Sequence, residues 1–578
     1  MTQEYLPNQK ETTKKYRKIS RIDQAKMIRA VESGETQEAV AEQNKVPRTT
    51  LEHWVKRKKE LENRHDPEVT RFLESPAGLA FLHRLLVATF LIFHIDGGCG
   101  LPSIHKFLKI STISNYVGAS LGTLHKVSHQ IDRLLKEFGE SERERLGALM
   151  PHRKITGCGD ETFFDGEMLI VFMEATSGFI LAEQKEEKRD AETWEKVMRS
   201  ALKGLNVDLI QVTGDEAGGL TSAVTNLLGI HKSSDLFHIQ QDITKGLTSH
   251  LARRTERAEE ALKDSKEAKE KGWEEFQYQL EKEGWTKEDP KVVKTGKKML
   301  KAYEQEEKNQ RYLEIVRGEQ KRAQEARRAI TENYHPFNLE TGKKRTPEGL
   351  KKELSEAYEE LEWVAEQAKC TDNQKKKLKK SRGMVESLVG TLAFFWSFVM
   401  QYFFSLRLDN EERVLFEEFL LPIAYLEMIE GRGSKKERKQ AGETVKVLRE
   451  AMRQRDGPLP GEDRLKELKR GACECAELFQ RSSSCVEGHN GALSLKYHAS
   501  RHLSSERLNS RVVLHNYFSK RRNGTTAAGR FFQEEPKDIF SWLLERVSLP
   551  VRPRNKRERL RVKTCQVDNN TSDLEIAV

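Results

Sequence analysis

Only one stretch of this chain has the periodicity of a β-sheet, and it limits the folds open to everything around it. Ile155–Phe163, Met168–Ala175 and Gly178–Gln184 are short, mostly apolar runs that read as consecutive strands, the third entered through a Thr-Ser-Gly turn. Ala191–Leu205 then reads as a helix, because Trp194, Val197, Met198, Ala201, Leu202 and Leu205 fall on one side of a helical repeat. Val207–Val212 is a strand, Leu220–Leu228 a helix, and Asp235–Ile239 a last short strand. The order strand-strand-strand-helix-strand-helix-strand predicts a mixed sheet flanked by helices.

Everything else has a helical pattern. Near the N-terminus, Asp23–Ser33 is a helix ended by Gly34, Thr36 caps Gln37–Gln43, and Asn44-Lys-Val makes a turn. Pro47 opens Arg48–Lys59, since a proline's missing N–H has no partner at a first helical position anyway. Ala39, Val40, Val46, Leu51 and Trp54 are spaced to close a small core. This is helix-turn-helix spacing, with a plain three-helix bundle as the competing reading. The last helix would present Arg48, Thr49, Thr50, His53 and Lys56 to DNA. Pro102–Leu108, a turn at Ser111–Asn115 and Tyr116–Leu135 repeat the plan, over an apolar face of Leu101, Ile104, Phe107, Leu108, Val117, Leu121, Leu124 and Val127. This is either a second DNA-binding unit or a helical bridge.

Beyond the sheet, Arg253–Lys380 is dense in Glu, Lys, Arg, Gln and Ala, with apolar residues at helical spacing in places, as in a solvated helical array or coiled-coil arm. Leu388–Leu406 carries no charge and is barely long enough to cross a bilayer. It and Leu79–Ile95, which contains Arg84, are expected to be buried helices, and no membrane partner is expected. The predicted architecture is an α/β catalytic core with a mixed sheet, interrupted by a large all-α insertion and preceded by N-terminal all-α helix-turn-helix units. Its segments are 1–65 (helix-turn-helix), 66–150 (second helical unit), 151–247 (core, first part), 248–480 (helical insertion), 481–547 (core, C-terminal helical part) and 548–578 (a basic, disordered tail around Arg552–Lys563). In the alternative, the sheet domain ends near Lys245 and an independent helical domain follows. The position of Glu487 in space decides between the two.

The net charge of +10 and pI of about 9.0 favour a polyanionic partner, although basic proteins also bind membranes and acidic proteins. Seven cysteines without a regular framework suit a reducing compartment. The polar N-terminus, Met1-Thr-Gln-Glu-Tyr, is not a signal peptide.

Three acids carry the chemistry. Asp160 ends a strand after Gly157-Cys-Gly, and Asp215 ends another after Thr213-Gly, so small residues precede both and leave room for a closely approaching substrate. Glu487 lies far downstream in Ser484-Cys-Val-Glu-Gly-His-Asn, on a helix starting near Ser483 that puts Asn490 on the same face. Two strand-end carboxylates and a helical one can hold a pair of divalent ions, which clamp the attacking and leaving oxygens of a phosphodiester. Each aspartate alone could equally be a turn or helix cap. Glu161 and Glu216 are second choices, their side chains pointing the other way from those of Asp160 and Asp215. Lys496, Arg501, Arg521 and Arg522 stand among amides and aromatics, a mixture suited to gripping phosphates and stacking on bases. Cys473, Cys475, Cys485 and His489 offer a zinc set, and His498 with His502 a metal-compatible pair, though DNA-facing or surface histidines are the competing reading.

Gly159-Asp-Glu-Thr-Phe, Thr213-Gly-Asp, Asp235-Leu-Phe-His, Val486-Glu-Gly-His-Asn, His515-Asn-Tyr and Arg521-Arg-Asn-Gly-Thr-Thr-Ala-Ala, in that order, resemble a DDE transposase with an RNase H-like catalytic domain. The third piece is similar to the Cys/Asp-x-x-His signature of the hAT and Mutator-like families, which also carry a helical insertion before the Glu. The resemblance implies that Asp160, Asp215 and Glu487 bind two Mg²⁺ or Mn²⁺ ions, and that Asp235 and His238 support the site or contact DNA. It implies hydrolysis at element ends followed by 3′-hydroxyl strand transfer. The partners would be double-stranded DNA, both terminal inverted repeats and target, and a second copy of the chain in a homodimer or higher oligomer, with no small-molecule cofactor. The location would be the cytoplasm or nucleoid of a prokaryote, or the nucleus of a eukaryote. Two rivals stay open: a transposase-derived DNA-binding regulator without catalysis, and a structure-specific nuclease on the same fold.

Overall fold

The strand-patterned stretch closes into a single five-stranded sheet. In the computed structural model, which describes residues 19–164, 166–282, 288–455, 459–500 and 503–551, the strands are β1 (Arg153–Phe164), β2 (Glu167–Glu174), β3 (Ile180–Glu186), β4 (Val207–Gly214) and β5 (His231–Ser234). They lie in the order β3-β2-β1-β4-β5. β1, β2 and β3 form an antiparallel meander, β4 runs parallel to β1, and β5 runs parallel to β4. β2 is buried along nearly its whole length, as a strand covered on both faces requires. The helix Ala191–Leu202 makes the crossover from β3 to β4, burying Trp194, Val197, Met198 and Ala201, and a short helix from Gly218 begins the next crossover.

The last strand differs from the sequence reading. Asp235–Ile239 is not a strand: β5 ends at Ser234, and Asp235 caps the helix Leu236–Ile243, its carboxylate accepting the Phe237 N–H at 2.8 Å. A short apolar run such as Leu-Phe-His-Ile fits either period, and the aspartate before it is a helix-start signal.

The chain divides into two units, residues 1–134 with 540–578, and residues 135–539. In the first, the helices Arg21–Glu32, Gln37–Gln43 and Arg48–Glu62 close over Met27, Val40, Ala41, Val46 and Leu51, with Trp54 against them. Ser20 and Thr36 cap the first two helices through their hydroxyls. Ala39 is exposed, not part of this core, and Pro47 is the N-cap of its helix, not its first residue. Segments 1–65 and 66–150 are joined by an Arg21–Glu74 ion pair at 2.9 Å and a shared cluster of Ala25, Leu79, Leu82, Tyr116 and Val117. In the second repeat, Leu101, Ile104, Leu108, Val117, Leu124 and Val127 are buried as expected, while Phe107 and Leu121 face outward.

In the second unit the sheet and the helices after it share one core. Leu236, Ile239 and Ile243, next to β5, cluster with Tyr358, Phe395, Phe416, Tyr425 and Phe479 from the following helices. An arm of two long helices, Ser249–Glu281 and Pro290–Asn333, projects from this core. The pairs Glu259–Arg317, Lys269–Glu306 and Glu275–Lys298 run in opposite chain directions, so the two helices are antiparallel. Residues 76–96 and 372–406 are apolar and long enough to cross a membrane by length and composition, and half of each window is buried within the protein.

Candidate functional site

The parallel register of β1 and β4 pairs Gly159 with Gly214, so Asp160, inside β1, and Asp215, just past the end of β4, lie at the same level. Asp160 does not end its strand as the sequence pattern suggests: β1 runs on to Phe164, paired with β2. The glycines before them serve packing, not an open approach for substrate as the sequence pattern suggests. A Cβ on Gly157 would sit 2.4 Å from the Phe172 ring, one on Gly159 3.2 Å from Trp194, and one on Gly214 2.6 Å from the Gly159 carbonyl. The protein's own groups fill that space.

Glu487 reaches the sheet through a series of anchors on the segment leaving the insertion. Thr156 of β1 donates its hydroxyl to the Leu478 carbonyl at 3.1 Å, and the Leu236 N–H donates to the Arg481 carbonyl at 3.1 Å. The Ser483 hydroxyl donates to the buried Asp235 carboxylate. The helix Ser484–Ser500 starts from this clasp, with Val486 buried against Cys158, Val171 and Met173 of the sheet. One turn on, Asn490 donates its amide N–H to Asp160 Oδ2 at 2.7 Å.

The result is a compact cluster. Ligand atoms of Asp160, His238 and Glu487 all lie within 4.8 Å of one another, the one such set among the described residues. His238 Nε2 is 3.3 Å from Glu487 Oε1 and 3.8 Å from Asp235 Oδ2. Asp215 stands beside this set and acts on Asp160 and His238 through its charge, while its Oδ1 accepts the Ala217 N–H at 3.0 Å. Burial, then the neighbouring Glu487 and Asp215 carboxylates, push the Asp160 pKa up to about 7. The hydrogen bond to Glu487 raises the His238 pKa against the opposing effect of burial. His238 and Glu487 each keep a quarter of their side chain exposed, so the cluster is open to solvent.

Asp235 is fully buried and positions other residues without facing a ligand: it caps His238's helix and holds Ser483. Glu161 accepts the Trp194 indole N–H at 2.9 Å, and Glu216 accepts the Ser234 hydroxyl with Lys232 3.8 Å away, so both point away from the cluster. The zinc set does not assemble. Cys475 is buried in the helical core, Cys485 lies against Cys158, and His489 pairs with Glu183 at 2.7 Å. His498 is exposed, and His502 and Arg501 lie outside the described residues, as does Arg552–Lys563. On their helix, Arg48, Thr49, His53 and Lys56 are exposed and Thr50 is half-buried, with Arg48 paired to Glu38 at 2.7 Å. Lys496 is half-buried, and Arg521 and Arg522 are exposed.

Residues 416–559 match a family described as a family of unknown function, DUF6399. That segment carries Glu487 and Asn490 but neither Asp160 nor Asp215. No curated protein matches the chain.

Sequence reasoning missed two positioning groups. One is Ser483, which only the fold brings to Asp235. The other is Lys232, buried in β5, which donates to the Gly214 carbonyl at 2.9 Å just before Asp215. A lysine inside a strand was the signal for the second, and nothing local marked the first.

Proposed function

We propose that this chain is a DDE-type transposase: a metal-dependent enzyme on an RNase H-like core that hydrolyses phosphodiesters at the ends of a DNA element and joins the freed 3′-hydroxyl to target DNA. The observation that carries this reading is the return of Glu487, from beyond the insertion, to the side of Asp160 and His238. The sheet order, with its meander before the parallel strands, supports the same core.

The donor set fits hard divalent cations, which take carboxylate oxygens and keep several waters. Asp160, Asp215 and Glu487 would hold two Mg²⁺ or Mn²⁺ ions, with Asp160 in the field of both other carboxylates. Two features of the cluster match an ion's place: the mutual repulsion that raises Asp160, and the buried Asn490 Oδ1, which has no hydrogen-bond partner among the described residues. When bound, such ions supply Lewis-acid charge that acidifies a water and offsets charge on a phosphoryl centre. The remaining roles belong to the chain. Asn490 fixes the Asp160 carboxylate through the Oδ2 hydrogen bond. Asp235 orients the start of the His238 helix, and His238 Nε2 holds Glu487 in place. Arg48, Thr49, Thr50, His53 and Lys56 would read the terminal repeats, and two copies of the chain would bring two ends together.

The test is cleavage of a labelled duplex carrying the DNA that flanks the gene on each side, together with any inverted repeat found there. Nicking with Mg²⁺ or Mn²⁺, abolished by EDTA and by Asp160→Asn, Asp215→Asn or Glu487→Gln with binding retained, is the expected result. Binding without cleavage under any cation would leave the non-catalytic regulator standing in its place. Cleavage without joined product would favour the structure-specific nuclease.

A further inference from the structure

A second site, of opposite charge, lies in the same unit. A cavity of about 870 Å³ opens between the helices Leu421–Arg432 and Glu462–Leu478 and the turn that follows Lys520. Its wall carries five cations, Arg432, Lys520, Arg521, Arg522 and Arg530, against two acids, Glu427 and Glu477. Both acids are already engaged elsewhere, Glu427 with Arg449 at 2.5 Å and Glu477 with Arg153 at 3.5 Å.

Among the described residues, none of the five cations has a carboxylate within ion-pair distance. The three guanidiniums that make hydrogen bonds here hold neutral oxygens. Arg432 donates to the Thr176 carbonyl at 3.3 Å and Arg521 to the Ser177 carbonyl at 3.1 Å. Arg530 donates twice to the Ser177 carbonyl, at 3.0 and 2.6 Å, and once to the Thr525 carbonyl at 2.9 Å. The buried Glu174 acts on Arg521 and Arg530 by charge alone, its own oxygens being taken by the N–H groups of Thr176 and Ser177 and the Ser177 hydroxyl. A guanidinium has five N–H donors, so Arg432 and Arg521 each keep most of theirs free. Burial lowers the Arg530 pKa to about 10, with smaller contributions from the nearby Arg521 and Arg432.

The turn is built to hold its cations still. The Arg521 N–H donates to the Thr525 carbonyl at 3.0 Å and the Gly524 N–H to the Arg521 carbonyl at 2.9 Å. Gly524 sits at φ +80°, where a side chain would strain the backbone. Asn523 Oδ1 accepts both the N–H and the hydroxyl of Thr525.

We propose that this cavity grips the sugar-phosphate backbone of a nucleic-acid strand, its phosphates taken by Arg432, Lys520, Arg521, Arg522 and Arg530. Arginine forks match phosphate oxygens bidentately. The cavity has room for far more than one phosphate, and its cations are spread over a helix end and a turn, which suits a polymer of regularly spaced anions better than a single one. Arg432, Lys520, Arg521 and Arg522 are exposed, and the vesicle arm of the test separates an anionic bilayer from a nucleic-acid strand. Glu174 pairs with Gly157 across β1 and β2, three residues from Asp160, or about 10 Å of strand. Asp160 nevertheless faces the other side of the sheet from Gly157, so the two sites are not joined along one face of the sheet. The inference extends the proposed function with a second anion-binding surface, and anion binding itself needs neither the acids nor a cation.

The test uses the full chain in EDTA. Fluorescence anisotropy of a short labelled oligonucleotide of mixed sequence is followed over a salt series, beside parallel arms with inorganic phosphate and with phosphatidylserine vesicles. The variants are Lys520→Ala/Arg522→Ala, which removes two side chains that bond to nothing among the described residues, and Arg432→Ala; thermal melts report folding. The expected result is about tenfold weaker oligonucleotide binding in each, with the salt slope shallower by about 1 for every phosphate no longer gripped. Three outcomes would overturn the proposal: unchanged affinity and slope, inorganic phosphate bound as tightly as the oligonucleotide, or vesicle binding abolished while oligonucleotide binding persists. Because this assay excludes divalent cations, a failure of cleavage in the separate Mg²⁺ assay, with strand binding intact, counts against the transposase reading alone.

Discussion

Asp160 is the most strained ionisable group at the site, and its behaviour can be measured. A carboxylate raised from 3.8 to about 7 binds a proton more readily in the folded chain than in the unfolded one. Its contribution to stability is therefore present at low pH and is lost as pH climbs from about 4 to 7. Above that range the ionised cluster costs stability. In EDTA at pH 8, Asp160→Asn should thus stabilise the chain by about 2 kcal/mol. Mn²⁺ should raise the melting temperature of the parent and leave that of Asp160→Asn unmoved. Melting curves with and without Mn²⁺ test both parts, and a destabilised Asp160→Asn, or one with the parent's Mn²⁺ response, contradicts the account. The residue stood out in the sequence because an aspartate after Gly-Cys-Gly in a strand is a local pattern, although the strand runs on past it to Phe164. Its environment was not, since Glu487 and His238 come from other elements.

At the scale of elements, the site depends on how tightly β1 and β4 approach. Gly214 has its Cβ position 2.6 Å from both the Gly159 carbonyl and a Leu220 methyl. Backbone has no rotamer to change, so Gly214→Ala must separate the strands. Destabilisation of about 2 kcal/mol or more, read by urea denaturation, is the expected outcome, with cleavage falling further than stability because Asp215 moves with the strand. A neutral Gly214→Ala would mean that the strands tolerate separation. The strands themselves were legible: β1 to β4 fall close to their periodicity-based positions. β5 was misplaced because Leu236 and Ile239 suit either a strand face or a helix face, and only the Asp235 cap and the Ser483 clasp decide it.

Across the whole second unit, the buried His335 and Glu437 and the half-buried Arg481 tie the end of the long arm to the segment that carries Glu487. Arg481 donates to His335 Nε2 at 2.6 Å and to Glu437 Oε1 at 2.9 Å. Because arginine only donates, Nε2 is the acceptor and Nδ1 carries the proton, which it gives to the Tyr425 hydroxyl at 2.7 Å. Burial, then Arg481, holds the His335 pKa down at about 3. The unfolded chain therefore binds a proton at this position below about pH 6.5 that the folded chain refuses. Stability from this group is complete above that pH and drains away as pH falls toward 3, by about 2 kcal/mol on reaching pH 5. Urea titrations at pH 7.5 and 5 should show this loss, and His335→Gln should flatten it. An equal slope in the variant would assign the pH dependence to other groups.

The sequence by itself determined the local structure: strand and helix periods, the cap at Thr36, and an excess of positive charge. These follow from neighbouring residues, whose side-chain spacing and backbone preferences act within a few positions. Tertiary structure alone decided that His238 joins Asp160 and Glu487, that Asp235 is a buried brace, that the space beside the glycines is filled by Phe172 and Trp194, and that Arg432 and Arg530 meet Arg521. Each of those facts depends on segments far apart in the chain coming together, set by which apolar faces bury against each other and by which buried polar groups must find a partner.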